Sequence, residues 1–120
     1  MVFYLPKDVV EAMNWLKAQP RPQTVLAADI TAKFTPSISG QSVYFGHPQE
    51  TLFPYAKAMY LVWFFKQDGN DEARKRFLIS QKIDFVFYSD YEKKLGEFNP
   101  RGKDYLKLVF DLPKAKVYQV

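Results

Sequence analysis

Ile83-Asp84-Phe85-Val86-Phe87-Tyr88 is the stretch on which the reading of the fold turns. Apart from Asp84 it is apolar at every position, so it places apolar side chains on both faces of a strand. Such a strand belongs at the centre of a sheet covered on both sides by helices. It is entered directly from a helical pattern and ends at Ser89-Asp90. Thr24 to Ala28 is a second short apolar run, set off by Pro20 and Pro22 before it and Asp29 after it, and reads the same way.

Working outward from these two strands, Pro6 to Ala18 carries Val9, Ala12, Met13 and Leu16 at helical spacing, with Asp8 and Glu11 near its positive end. Ile30 to Ser39 reads as a short irregular helix ending at Gly40. Ser42 to Phe45 follows as another strand. Glu50 to Gln67 is the longest helix, bent near Pro54, with Leu52, Ala56, Met59, Tyr60 and Trp63 on one face. From Ala58 to Phe65 it is apolar almost all round, which implies either unusual burial or contact with something outside the domain. Asn70 or Asp71 is expected to cap a helix running to Lys82 with Ala73, Phe77 and Leu78 inward. Tyr91 to Leu95 reads as one helical turn and Glu97 to Asp104 as a polar loop. Tyr105 to Leu112 and Ala115 to Val120 form a hairpin around Pro113-Lys114. The expected fold is therefore α/β: a small three-layer domain with a mixed, mainly parallel sheet and a C-terminal antiparallel hairpin.

The 120 residues fit one domain, 1–120, and 48% hydrophobic with 18% aromatic residues is the composition of a packed core. The absence of cysteine excludes disulfides, zinc–thiolate sites and thiol nucleophiles. The longest apolar run is too short to span a bilayer and no leader pattern opens the chain, so the expectation is a soluble piece. The net charge of +4 is spread along the sequence. Its densest cluster, Arg74-Lys75-Arg76, follows Asp71 and Glu72 and reads as a solvated helix face, so no nucleic-acid partner is expected.

Ligands of open α/β sheets lie beyond the carboxyl ends of the strands, here Asp29 and Thr31, His47 and Glu50, and Ser89 and Asp90. Asp, Ser and Thr at such places also cap helices and form turns, and capping is the reading their chemistry favours. His47 is the one histidine, which removes any multi-histidine metal centre. With Glu50 it would make an oriented base or half a metal site. Beside Pro48 it is also a common turn residue satisfied by backbone. Asp68, Asp71 and Glu72 flank a helix start, where carboxylates are favoured without catalytic work. No Gly-x-Ser-x-Gly occurs, and the glycines at 40, 46, 69, 96 and 102 form no phosphate-binding loop. No catalytic residue, metal site or cofactor is expected.

Gly40-Gln41-Ser42-Val43-Tyr44-Phe45-Gly46-His47-Pro48-Gln49-Glu50-Thr51 resembles a pattern of soluble C-terminal domains of multi-spanning bacterial and archaeal membrane proteins. These are glycosyltransferases of the glycosyltransferase-C type, which use lipid-phosphate sugars, and related membrane proteins. Glu11 to Leu16, Thr24 to Ala28, Ile83 to Tyr88 and Ala115 to Val120 are similar to further elements of such domains, in the same order. The resemblance implies that membrane spans precede Met1, with Phe3, Tyr4 and Leu5 at the junction, although a hydrophobic staple onto the first helix explains those three equally. The family's catalytic acids belong to the membrane part, and nothing here matches them. The implied role is noncatalytic: covering the active site or holding an acceptor on the extracytoplasmic face. The implied partners are the membrane-embedded portion of the same protein and a lipid-linked sugar or acceptor. The candidate ligand-binding residues are His47, Glu50, Thr51, Thr31 and Ser89. The alternative is a freestanding α/β domain that binds a small anionic ligand at the sheet's carboxyl edge through Thr31, His47, Ser89 and backbone amides. A protein-interaction module using the aromatic helix is a third reading.

Overall fold

Pro6 has extended backbone and cannot extend a helix backward, so α1 (Lys7–Lys17) starts after it, with Asp8 in its first turn and Lys17 in its last. In the computed structural model, residues 5–20, 23–28, 31, 35, 38–44, 54–66 and 69–120 are described. Along the chain α1 is followed by β1 (Thr24–Leu26), β2 (Ser42–Val43), α2 (Pro54–Lys66), α3 (Asp71–Ser80), β3 (Phe85–Ser89), α4 (Asp90–Lys93), β4 (Lys107–Leu112) and β5 (Ala115–Gln119). Thr31, Thr35, Ile38 and Ser39 are helical, and Gly40 then turns the chain with φ at 74°, the left-handed conformation expected after a helix.

The five strands form one mixed sheet in the order β2-β1-β3-β5-β4. β2, β1 and β3 are parallel, while β5 pairs antiparallel with β3 and with β4. Pairing Val25 with Phe85 and Phe87 with Val117 puts these side chains on one face, where they meet Val9, Ala12, Met13 and Leu16 of α1. Leu26, Val86 and Tyr118 point to the other face, into a cluster with Leu61, Phe64 and Phe65 of α2 and Phe77 and Leu78 of α3. Period-two alternation thus builds a separate core on each side of the sheet, and the domain has three layers. A buried Phe or Leu in either core contributes about 1.5–3 kcal/mol over an exposed one.

Two sequence expectations need correction in the α2–α3 layer. Asn70 precedes α3, but in a left-handed conformation and without a side-chain cap. The adjacent Asp71 carboxylate is engaged elsewhere, accepting from Tyr105 at 2.8 Å and pairing with Lys103 at 3.2 Å. Arg74 is not on a solvated face, since it is 1% exposed. Its guanidinium lies 4.8 Å from the Phe98 ring centre and 5.4 Å from that of Trp63. It also donates to the carbonyl of Phe64 at 2.8 Å and to that of Gly69. Among the described residues Arg74 is held by ring faces and by the carbonyls of Phe64 and Gly69, which offset part of the cost of desolvating its charge. Lys75 and Arg76 are exposed as expected.

Helix α2 begins at Pro54, the position at which a proline is compatible with a helix, and the expected segment from Glu50 to Phe53 lies outside the described residues. The far end of α2 is closed by the loop after α4. Glu97 donates its amide to the Lys66 carbonyl at 2.9 Å, and Phe98 donates to Phe65 at 3.2 Å. Gly96 permits this approach, because a β-carbon there would stand 2.3 Å from the Lys66 backbone. Gly96→Ala is therefore expected to lower unfolding stability by about 1–3 kcal/mol. Urea denaturation measures it, and an unchanged midpoint would show that the contact is not needed.

Candidate functional site

Strands β1 and β3 lie side by side, and the connections leaving their carboxyl ends diverge, one toward β2 and one through α4 to the hairpin. This is the crevice at which α/β folds place ligands. The chain fills it with its own carboxylate. Glu92, fully buried, accepts from the Ala28 amide at 2.8 Å through one oxygen. Its other oxygen accepts from the Ser89 amide at 2.7 Å and from the Ser89 hydroxyl. The arrangement is a capping box, with Ser89 as N-cap of α4 and Glu92 three residues on. It also reaches across to the end of β1, so it joins two strands as well as starting a helical turn.

Thr31 and Ser89, both proposed from sequence, come together around this carboxylate, and both are buried. The Thr31 hydroxyl is close enough to favour the charged form of Glu92, although it makes no hydrogen bond of good geometry. Thr31 also anchors a polar ladder: its carbonyl accepts from the Thr35 hydroxyl at 2.8 Å, the Thr35 carbonyl accepts from Ser39, and the Ser39 hydroxyl accepts from the Gln41 amide at 3.1 Å. Asp90 is exposed and stands 3.9 Å from Lys93. His47, Glu50 and Thr51 lie outside the described residues, as does Asp29.

Two positions that hold the geometry of this edge and of the α1–β1 entry were missed by sequence reasoning. Glu92 carries the Ser-x-x-Glu spacing of a capping box, which was a usable signal. Gln41, in the glycine-led motif before β2, accepts from the Gln23 amide at 3.0 Å and donates to the Leu16 carbonyl at 2.9 Å. One side chain thereby fastens the end of α1 to the entry of β1, and no local pattern announces that.

Burial pushes the Glu92 carboxyl above the ordinary glutamate range. Hydrogen bonds from the Ser89 side chain and the Ala28 amide, with help from Thr31 and the Ser89 amide, pull it back only in part. Among the described residues no cluster of three or more acidic or histidine side chains could hold a metal ion, and no helix is long and apolar enough to cross a membrane. The arrangement can hold and release one proton within a closed tie. Among the described residues, the amides placed to receive an anion at this edge, those of Ala28 and Ser89, are already taken.

No protein-family model matches the sequence, and no curated protein matches it. Among solved structures, the C-terminal globular domain of an oligosaccharyltransferase from Archaeoglobus fulgidus matches with a TM-score of 0.69, covering 98% of this chain and 99% of that one at 14% identity. At that identity the likeness is one of fold, and it extends over both chains almost entirely.

The raised Glu92 pKa has a defined sign for stability. Between the unfolded value near 4.5 and the higher folded value, the native state binds more protons than the unfolded chain, so stability falls as pH rises through that window. The stability difference between the parent chain and Glu92→Gln should therefore be most favourable to the parent at the acid end. It should shrink with rising pH by about 1.4 kcal/mol per unit by which the folded pKa is raised. Urea denaturation from pH 4 upward checks this, and a difference that grows with pH would contradict it.

Proposed function

We propose that this chain is a noncatalytic, soluble accessory domain of a polytopic membrane glycosyltransferase-like protein, placed on the extracytoplasmic face, where it covers the active site or holds the acceptor. The observation that carries this reading is the fold shared end to end with the C-terminal globular domain of the archaeal oligosaccharyltransferase. The ordered motifs from Glu11 to Val120 support it from the sequence side. In this reading the partners are the membrane-embedded portion of the same protein and a lipid-linked sugar or its acceptor.

The buried tie also bears on how the work is divided. Thr31 and Ser89 serve Glu92 at the end of the sheet, so contact with an acceptor or with the membrane portion falls to His47, Glu50 and Thr51. A domain of this kind supplies surface and position while the reacting groups lie elsewhere, which matches a chain whose carboxyl-edge amides are occupied from within.

An antibody raised against the 120-residue chain tests the reading in the source cells. The expected band is far larger than the chain itself and sediments with membranes, resisting extraction by salt and yielding to detergent. A soluble band of the chain's own size would overturn the proposal.

A further inference from the structure

Between Met59 and Lys66, helix α2 is apolar on two opposite faces, and among the described residues only one of them is fully buried. Leu61, Phe64 and Phe65 enter the core. Met59, Val62, Trp63 and Lys66 recur at the spacing of a second stripe. Met59 is 73% exposed and Val62 43%, and Ile79 of α3 adds a third exposed apolar side chain at 64%. Tyr60, half exposed, stacks on Phe77 at 5.6 Å, and Trp63 meets the same ring edge-on, so both are presented by a rigid base. Two open grooves flank Trp63. One of about 520 Å³ runs between Tyr60 and Ile79 with Arg76 on its wall, and one of about 480 Å³ runs between Met59 and Lys66.

The rim of this patch is cationic. Lys66, Lys75 and Arg76 are exposed, and none of the three is in an ion pair with an acidic side chain among the described residues. Lys75 and Arg76 lie one turn before Ile79, and the exposed acid of α3 is Glu72. Protein–protein interfaces are depleted in lysine, whereas membrane-water interfaces gather tryptophan and tyrosine with lysine and arginine around an apolar face.

From this pairing we infer that the α2–α3 face docks on an anionic lipid bilayer surface, with Met59, Val62, Trp63 and Ile79 entering the headgroup boundary and Lys66, Lys75 and Arg76 meeting lipid phosphates. The face requires no insertion of a helix across the membrane. The inference rests on the proposed function only for where the chain sits in the cell. Vesicle binding is a property of the chain itself, so either can fail without the other.

Co-sedimentation of the 120-residue chain with vesicles tests it, comparing phosphatidylcholine alone with vesicles in which about a third of the lipid is phosphatidylglycerol. Binding is expected for the anionic vesicles and should fall steeply at high salt. Lys66→Glu with Arg76→Glu should weaken it by at least about tenfold, and Val62→Ser should weaken it without changing the salt dependence. These are surface positions, and circular dichroism verifies that each variant is folded. Absence of binding to anionic vesicles, equal binding to neutral ones, or binding indifferent to the charge reversals would each overturn the inference. So would self-association in sedimentation velocity that Val62→Ser abolishes, since the face would then belong to a second copy of the chain.

Discussion

A carboxylate taken fully out of water must have its oxygens satisfied, and the carboxyl edge of this sheet is organised around that requirement. Glu92 meets it with two backbone amides that belong to different strands, Ala28 after β1 and Ser89 at the end of β3, and with the Ser89 hydroxyl. The parallel pairing of β1 and β3 rests on few residues, Val25 with Phe85 and Leu26 with Val86. A side-chain tie beyond the last paired residue holds the two strands where the ladder itself has ended. At the opposite end, Asp84 does the corresponding job, accepting from the Thr24 amide at 2.9 Å. The central pair is thus clasped at both ends by acidic side chains that flank β3, Asp84 just before it and Glu92 in α4 just after it.

The same constraint decides what the described part of the carboxyl edge offers to a ligand. In an α/β sheet that binds a ligand at its switch point, free amides and polar side chains face the crevice. Here the described groups at that point, Ala28, Ser89 and Glu92, are turned inward on one another. Among the described residues, the α2–α3 layer is where exposed apolar and cationic side chains share a surface. Arg74 links the two aspects of that layer: by filling the space between Trp63, Phe64 and Phe98 it packs α3 against α2, and with them the platform on which Tyr60 and Trp63 stand.

The central architecture was legible because β1 and β3 carry apolar residues at consecutive positions, a pattern that only burial on both faces explains. The hairpin was legible from the turn at Pro113-Lys114, and Thr31 and Ser89 stood out by their place after these strands, where the structure groups them around Glu92. Other features were hidden for physical reasons. Arg74 was misread because a run of three basic residues does not say which one faces inward. Its spacing from Phe77 and Leu78 put it on their face, but expectation for a charged residue ran the other way. Phe98 was overlooked as a lone aromatic in a polar loop. The two-sided apolarity of α2 erased the helical period that would have separated core from surface. Gln41 and Glu92 act through contacts across the fold, which a one-dimensional pattern does not contain, although Glu92 had left a local trace.

The most direct test of this account is a carbon-13 NMR titration of the Glu92 carboxyl, followed together with the Ala28 and Ser89 amides. The carboxyl is expected to titrate above the ordinary glutamate range, with both amide signals moving along the same curve because they donate to it. A carboxyl that titrates like an exposed glutamate while the two amides stay indifferent would contradict the buried tie and the closed edge built upon it.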